Sequence, residues 1–175
     1  MTSLPRFIHL RTHTEYSLLE GAIPVKMLPE MVKAFGQPAV AVTDSNNLFC
    51  ALEFSEYASK EGIQPIIGCQ VDLQYMEPEP GKRPEEPAPV VLLAQSEAGY
   101  MNLMKLNSAL YVDAGGELPH VTLDDLQKNS ADLICLSGGP DGPVGRLLRM
   151  GQRPKAQALM ERLAGIYPDR LYVEL

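Results

Sequence analysis

Continuous apolar runs alternate along this chain with stretches whose apolar residues recur every three or four positions, the pattern of buried strands separated by amphipathic helices. Phe7-Ile8-His9-Leu10 is a first short run, read as a strand. Pro24 followed by Val25, Leu28, Met31, Val32 and Phe35 predicts a helix with a proline in its first turn, closed by Gly36. Ala39-Val40-Ala41-Val42 is apolar at every position rather than at alternate ones, as in a strand covered on both faces. A second helix is predicted from about Asn46 to Lys60, with Leu48, Ala51, Leu52 and Tyr57 facing the core and Gly62 as its stop. Residues 65–71 supply the next strand, and this βαβαβ rhythm predicts a parallel sheet.

Residues 76–89 hold five prolines and no apolar period, which predicts an exposed loop. Beyond it, residues 90–94 form a buried strand, and a helix opening at Gly99 is read as turning Met101, Met104 and Leu110 toward a core. Thr122-Leu123-Asp124-Asp125 has the form of a capped helix start. A strand at 133–136 and helices near 144–150 and 154–164 follow. Residues 171–175 read as a last strand with no polar tail behind it, so the 175 residues are expected to be the N-terminal part of a longer domain.

Composition narrows the function. With 45% hydrophobic and 21% charged residues the chain belongs among soluble globular proteins. A net charge of -7 argues against a general grip on nucleic-acid phosphates, which needs clustered Lys and Arg. No apolar stretch approaches membrane-helix length and the first residues lack a signal peptide's apolar core, so a cytoplasmic protein is expected. Cys50, Cys69 and Cys135 are scattered without a CxxC, which predicts reduced, packed thiols.

In parallel sheets and barrels, functional groups collect beyond the carboxyl ends of the strands. Arg11, His13 and Glu20 follow the first strand; Thr43, Asp44, Ser45, Asn46 and Asn47 follow the second; Gln70 ends the third; Ser137-Gly138-Gly139 follows a later one. Such a mouth could hold metal ions, but only His13, Glu20 and Asp44 are good electron-pair donors among these residues. Two of them also have a plainer reading, His13 as a hydrogen-bonded structural histidine and Asp44 as the cap of the following helix. There is no GxSxG, GxxxxGK[ST] or GxGxxG, which removes the common hydrolase, P-loop and dinucleotide readings.

Taken in order, residues 9–21 (HLRTHTEYSLLEG), 42–49 (VTDSNNLF), 65–69 (PIIGC), 92–94 (LLA), 99–103 (GYMNL) and 136–138 (LSG) resemble the PHP (polymerase and histidinol phosphatase) family, in the form found at the N-terminus of bacterial replicative DNA polymerase alpha subunits. The resemblance spans essentially the whole chain. It implies an α/β fold, a distorted (β/α)7 barrel of parallel units present here in C-terminally incomplete form, with up to three metals at the strand ends. It also implies a polymerase core outside these residues, which takes Mg2+ and synthesises DNA.

Carried onto this sequence, the family's metal site is damaged. Arg11 and Ser45 stand where the family has histidines, Gln70 where it has glutamate, and Pro89 and Gly139 where further ligands are usual. Glu20 replaces the usual aspartate, and two more ligands lie in a C-terminal Asp-x-His motif absent from these residues. The remnant site is therefore Arg11, His13, Glu20, Asp44, Ser45 and Gln70, expected to hold no metal and to carry no catalytic residue, with Arg11 paired to Glu20 or else to Asp44. The expected role is a structural platform whose partners are the proofreading exonuclease (epsilon) subunit and other holoenzyme subunits, with DNA reached only through the parent protein. The rival readings are a Zn2+- or Mn2+-dependent phosphoesterase or 3'-5' exonuclease, and a free-standing small-molecule phosphatase.

Overall fold

A computed structural model describes residues 7–76, 85–112 and 118–175. The chain forms two compact units, Met1–Cys69 and Gln70–Leu175. One strand, β2 (Gln64–Gln74), runs from the first into the second.

In the first unit, α1 (Leu28–Ala34), β1 (Ala39–Val42) and α2 (Ala51–Glu61) precede β2. The helix expected from Pro24 begins at Leu28 instead, with Pro29 in its first turn; residues 25–27 form a turn. Gly36 and Gly62 follow the two helices with φ of 68° and 72°, the left-handed conformation that ends a helix without a Cβ penalty. All of β1 is buried, and it pairs in parallel with β2, Ala39 opposite Gln64 through Val42 opposite Ile67. Leu28 and Val32 of α1, Val40 and Val42 of β1, and Phe54 and Ala58 of α2 share one apolar core. Full burial of a side chain of this size contributes roughly 1.5–3 kcal/mol.

Two expectations fail on α2. It starts at Ala51, not Asn46, and its buried face is Ala51, Phe54 and Ala58 while Leu52 lies exposed, Leu48 and Tyr57 being half-buried. Asn46 has a φ of 55°, so the chain turns there before the helix begins. The N-terminal run is not a regular strand either. It is an extended segment along β1, with Ala41 N–H donating to the His9 carbonyl (2.9 Å) and Thr43 N–H to that of Thr12 (2.8 Å).

In the second unit, the end of β2 pairs in parallel with β4 (Val121–Thr122). β3 (Ala88–Ala94) runs antiparallel to β5 (Leu133–Leu136), which is parallel to β6 (Leu171–Tyr172). The expectation of an all-parallel sheet is thus corrected. A strand–helix rhythm fixes direction only when one helix carries the chain back, whereas α3 (Glu97–Val112), β4 and α4 (Leu123–Lys128) all lie between β3 and β5. β3 takes in Ala88 and Pro89, which the proline content alone places in the exposed loop; residues 77–84 of that loop lie outside the described residues. The last strand is two residues long rather than five.

On α3 the buried residues are Gly99, Leu103, Leu106 and Leu110, while Met101 is exposed and Met104 half-buried, so the methionines are not core. Thr122 does cap α4: its hydroxyl accepts from Asp125 N–H, and the Asp125 carboxylate accepts from Thr122 N–H in return. α5 (Pro143–Arg149) and α6 (Arg153–Ile166) complete the unit close to their expected bounds. Cys50, Cys69 and Cys135 are buried thiols outside any disulfide, as the sequence predicts. No helix among the described residues is long and apolar enough to cross a membrane.

Candidate functional site

β1 ends at Val42, and the two residues beyond it, Thr43 and Asp44, are buried polar groups that must find partners. Thr43 Oγ1 accepts from Thr12 N–H at 3.0 Å. Asp44 is held more fully. Its Oδ1 accepts from Thr14 N–H and from the Ser17 hydroxyl, both at 2.6 Å. Its Oδ2 accepts from the Thr14 hydroxyl at 2.7 Å and from the Cys50 thiol at 3.2 Å. A carboxylate offers about four lone-pair directions, so this one is saturated. Burial, and then the Asp44 charge, push the Cys50 thiol far above its ordinary range, which keeps it protonated as a donor.

The loop carrying these donors is tight. Glu20 N–H and Gly21 N–H both donate to the Ser17 carbonyl, and Thr14 bridges to Ile23 in parallel. A Cβ on Gly21 would stand 2.0 Å from the Thr14 carbonyl oxygen, so glycine is required there by close backbone approach. At the rim, Glu20 Oε2 accepts from the Ser45 hydroxyl at 2.5 Å and lies 3.2 Å from His13 Nδ1. His13 Nε2 is buried with no hydrogen-bond partner among the described residues. Arg11, His13 and Glu20 border a cavity of about 460 Å³ whose far wall is apolar, formed by Leu28, Val32 and Phe35 among others.

The structure thus brings His13, Glu20 and Ser45 into direct contact, places Asp44 beside them through Ser17, which accepts from Ser45 N–H at 3.1 Å, and sets Arg11 on the same cavity. Gln70 is buried on β2, in the stretch belonging to the second unit. Asp44 is not the cap of α2, as one sequence reading had it; α2 has Cys50 at its N-cap position and no side-chain cap. Nor is Asp44 an open acceptor for Arg11, because Thr14, Ser17 and Cys50 fill its oxygens. In the sequence Thr14 and Ser17 have no site role and Cys50 is marked only as a packed thiol. Thr14 and Ser17 stand thirty and twenty-seven positions from Asp44, and no spacing rule links them.

Of these side chains only His13 and Glu20 keep lone pairs for a metal ion, fewer than the roughly three protein ligands a catalytic metal uses, so the set does not fit one. Asp44 spends its lone pairs on protein donors, Ser45 donates to Glu20, and Arg11 has no lone pair to give. Among the described residues no group of three or more His, Cys, Asp or Glu is arranged to hold one.

The PHP domain family matches residues 9–175. This chain belongs to the PHP family. It is 42% identical over 171 residues to the DNA polymerase III subunit alpha of Caulobacter vibrioides, covering 97% of this chain and 15% of that protein. It is 37% identical over 173 residues to the subunit of the same name from Pseudomonas aeruginosa, covering 97% of this chain and 14% of that protein. The PHP chain therefore spans only about a seventh of these relatives' length. Among solved structures it is similar in fold to an amidohydrolase from Chromobacterium violaceum with bound sulfate and no metal (TM-score 0.53, 15% identity, 95% of this chain and 84% of that one). A putative metal-dependent phosphoesterase from Bifidobacterium adolescentis is similar too (TM-score 0.52, 9% identity, 95% and 85%).

Proposed function

We propose that this PHP chain serves as the N-terminal platform of a DNA polymerase III alpha subunit and does no hydrolysis of its own. Its likeness to alpha subunits at 42% and 37% identity supports the parent. The observation that carries the platform role is the Asp44 carboxylate, whose four donors turn a strand-end acid into a clasp between β1 and the loop at 14–21. Charge-assisted hydrogen bonds contribute roughly 1.5–3 kcal/mol each. A group so engaged stabilises the fold and is not spare for chemistry. Arg11, which lines the same cavity as Glu20, supplies in this reading the positive charge that a cation would bring. In this reading the polymerase core elsewhere in the parent takes Mg2+, and the proofreading exonuclease (epsilon) subunit docks on this domain.

The test is to add Mn2+ or Zn2+ to the purified protein and assay a phosphomonoester and single-stranded DNA, using a parent whose polymerase carboxylates are inactivated. No hydrolysis is expected. Turnover that chelation removes and His13→Ala abolishes would establish the rival phosphoesterase or 3'-5' exonuclease reading. Retention of the exonuclease subunit by the protein, measured by co-elution, tests the partner.

A further inference from the structure

The loop at 15–20 and the start of α2 carry a surface that neither the core nor the remnant site uses. Leu18, Leu19, Phe49 and Leu52 each leave at least 72% of their surface exposed. Single exposed leucines need no explanation, but these four sit on two segments tied together. Asn47 Nδ2 donates to the Tyr16 carbonyl at 3.1 Å, Phe49 N–H donates to Asn47 Oδ1 at 3.2 Å, and the Tyr16 and Phe49 rings meet edge-on with centroids 6.5 Å apart. Leu52 and Glu56 stand one turn apart on α2, and Phe49 lies in the turn that leads into it. Leu19 is fully exposed with a φ of 68°, a conformation a leucine rarely adopts.

The surroundings are acidic. Glu15, Glu20 and Glu56 are exposed, and Glu53 is half-buried, accepting from the hydroxyls of Tyr16 (3.3 Å) and Tyr57 (3.1 Å). The Glu53 charge raises the pKa of the Tyr16 hydroxyl, with Glu15 adding to it, so both carboxylates act on this spot. Lys60, 3.9 Å from Glu56, is the nearby cation on α2. Apolar side chains interleaved with carboxylates are the makeup of an interface formed and released, since permanent interfaces are more uniformly apolar.

We propose that Leu18, Leu19, Phe49 and Leu52 form a docking surface for a separate protein subunit that presents apolar side chains flanked by lysine and arginine. The inference rests on the platform reading and adds to it the face and the chemistry of its partner. Glu15, Glu53 and Glu56 supply the complementary charge, which steers encounter and sets specificity more than affinity. The loop is held in shape by the Asp44 clasp, so little ordering is left to be done on binding.

The test uses the full-length protein and two synthetic helical peptides with the same leucine and phenylalanine face, one flanked by lysine and arginine, the other by glutamate. The basic peptide is expected to bind at least tenfold more tightly and to slow amide exchange at residues 16–20 and 49–56. Leu18→Asp with Leu19→Asp should weaken it tenfold or more without lowering the melting temperature, whereas Leu148→Asp on α5 should not. Equal binding of the two peptides, or an unaffected double variant, overturns the proposal. So does protection of these residues before any peptide is added: independent of concentration, it means the protein's own chain covers them; rising with concentration, a second copy does. Hydrolysis assays report on the platform reading separately.

Discussion

Thr14 gives Asp44 both of its donors: the backbone N–H reaches Oδ1 at 2.6 Å and the hydroxyl reaches Oδ2 at 2.7 Å, across thirty residues of sequence. The pairing fixes the loop at 14–21 to the end of β1. It also decides what the aspartate can do, because a carboxylate closed on both oxygens by its own chain has nothing left for a ligand.

Asp44→Asn tests the clasp. An amide keeps one acceptor oxygen and turns an NH2 toward groups that themselves donate, leaving buried donors unmatched. Unfolding in urea should show a loss of about 3 kcal/mol. Glu20→Ala, which removes half-exposed contacts to Ser45 and His13, should cost under about 1 kcal/mol. Equal losses would show that burial does not separate the two acids.

Gly21→Ala places a methyl 2.0 Å from the Thr14 carbonyl oxygen, a backbone atom that cannot swing aside. A loss of about 2 kcal/mol or more is expected, with amide exchange accelerated at Thr14 to Gly21. A variant as stable as the parent would mean that the loop is not held as described.

Arg11→His combined with Ser45→His restores two nitrogen donors at the mouth. Asp44 remains engaged by Thr14, Ser17 and Cys50. Calorimetric titration with Zn2+ or Mn2+ should therefore show no saturable, chelator-reversible site. A stoichiometric isotherm would show that donor type alone, and not the clasp, limits binding here.

Stability should fall in alkaline solution. Burial raises the Cys135 thiol from 9.0 to about 12, and Cys50 is raised as well. Below pH 9 both thiols are protonated folded and unfolded, and their contribution is complete. Above it the unfolded chain releases protons the folded chain retains, so stability drops by up to about 1.4 kcal/mol per pH unit per thiol until the folded values are reached. Urea midpoints at about pH 8 and pH 10.5 should show the decline, and Cys135→Ala should reduce its slope. A slope unchanged by that substitution would assign the effect to other groups.

Much of this protein was legible in its residues because the deciding interactions are local. Gly36 and Gly62 announced helix ends by the backbone freedom that only they supply, Thr122 and Asp125 announced a cap three residues wide, and the unbroken apolar run 39–42 announced a strand buried on both faces. The resemblance of residues 9–21 and 42–49 to the PHP family, seen in sequence, agrees with the family match over 9–175. Tertiary structure decided the rest. The direction of β3 against β5 depends on where the chain goes through α3, β4 and α4, which periodicity does not encode. Leu52 and Met101 are as apolar as Phe54 and Leu103, and only the packing of neighbouring elements settles which of them is buried. Above all, Asp44 reads in the sequence as a ligand or a helix cap, since both need only an acid after a strand. It became a clasp because folding brought Thr14 and Ser17 within 2.7 Å of it, and a buried charge is held by whichever donors the fold delivers.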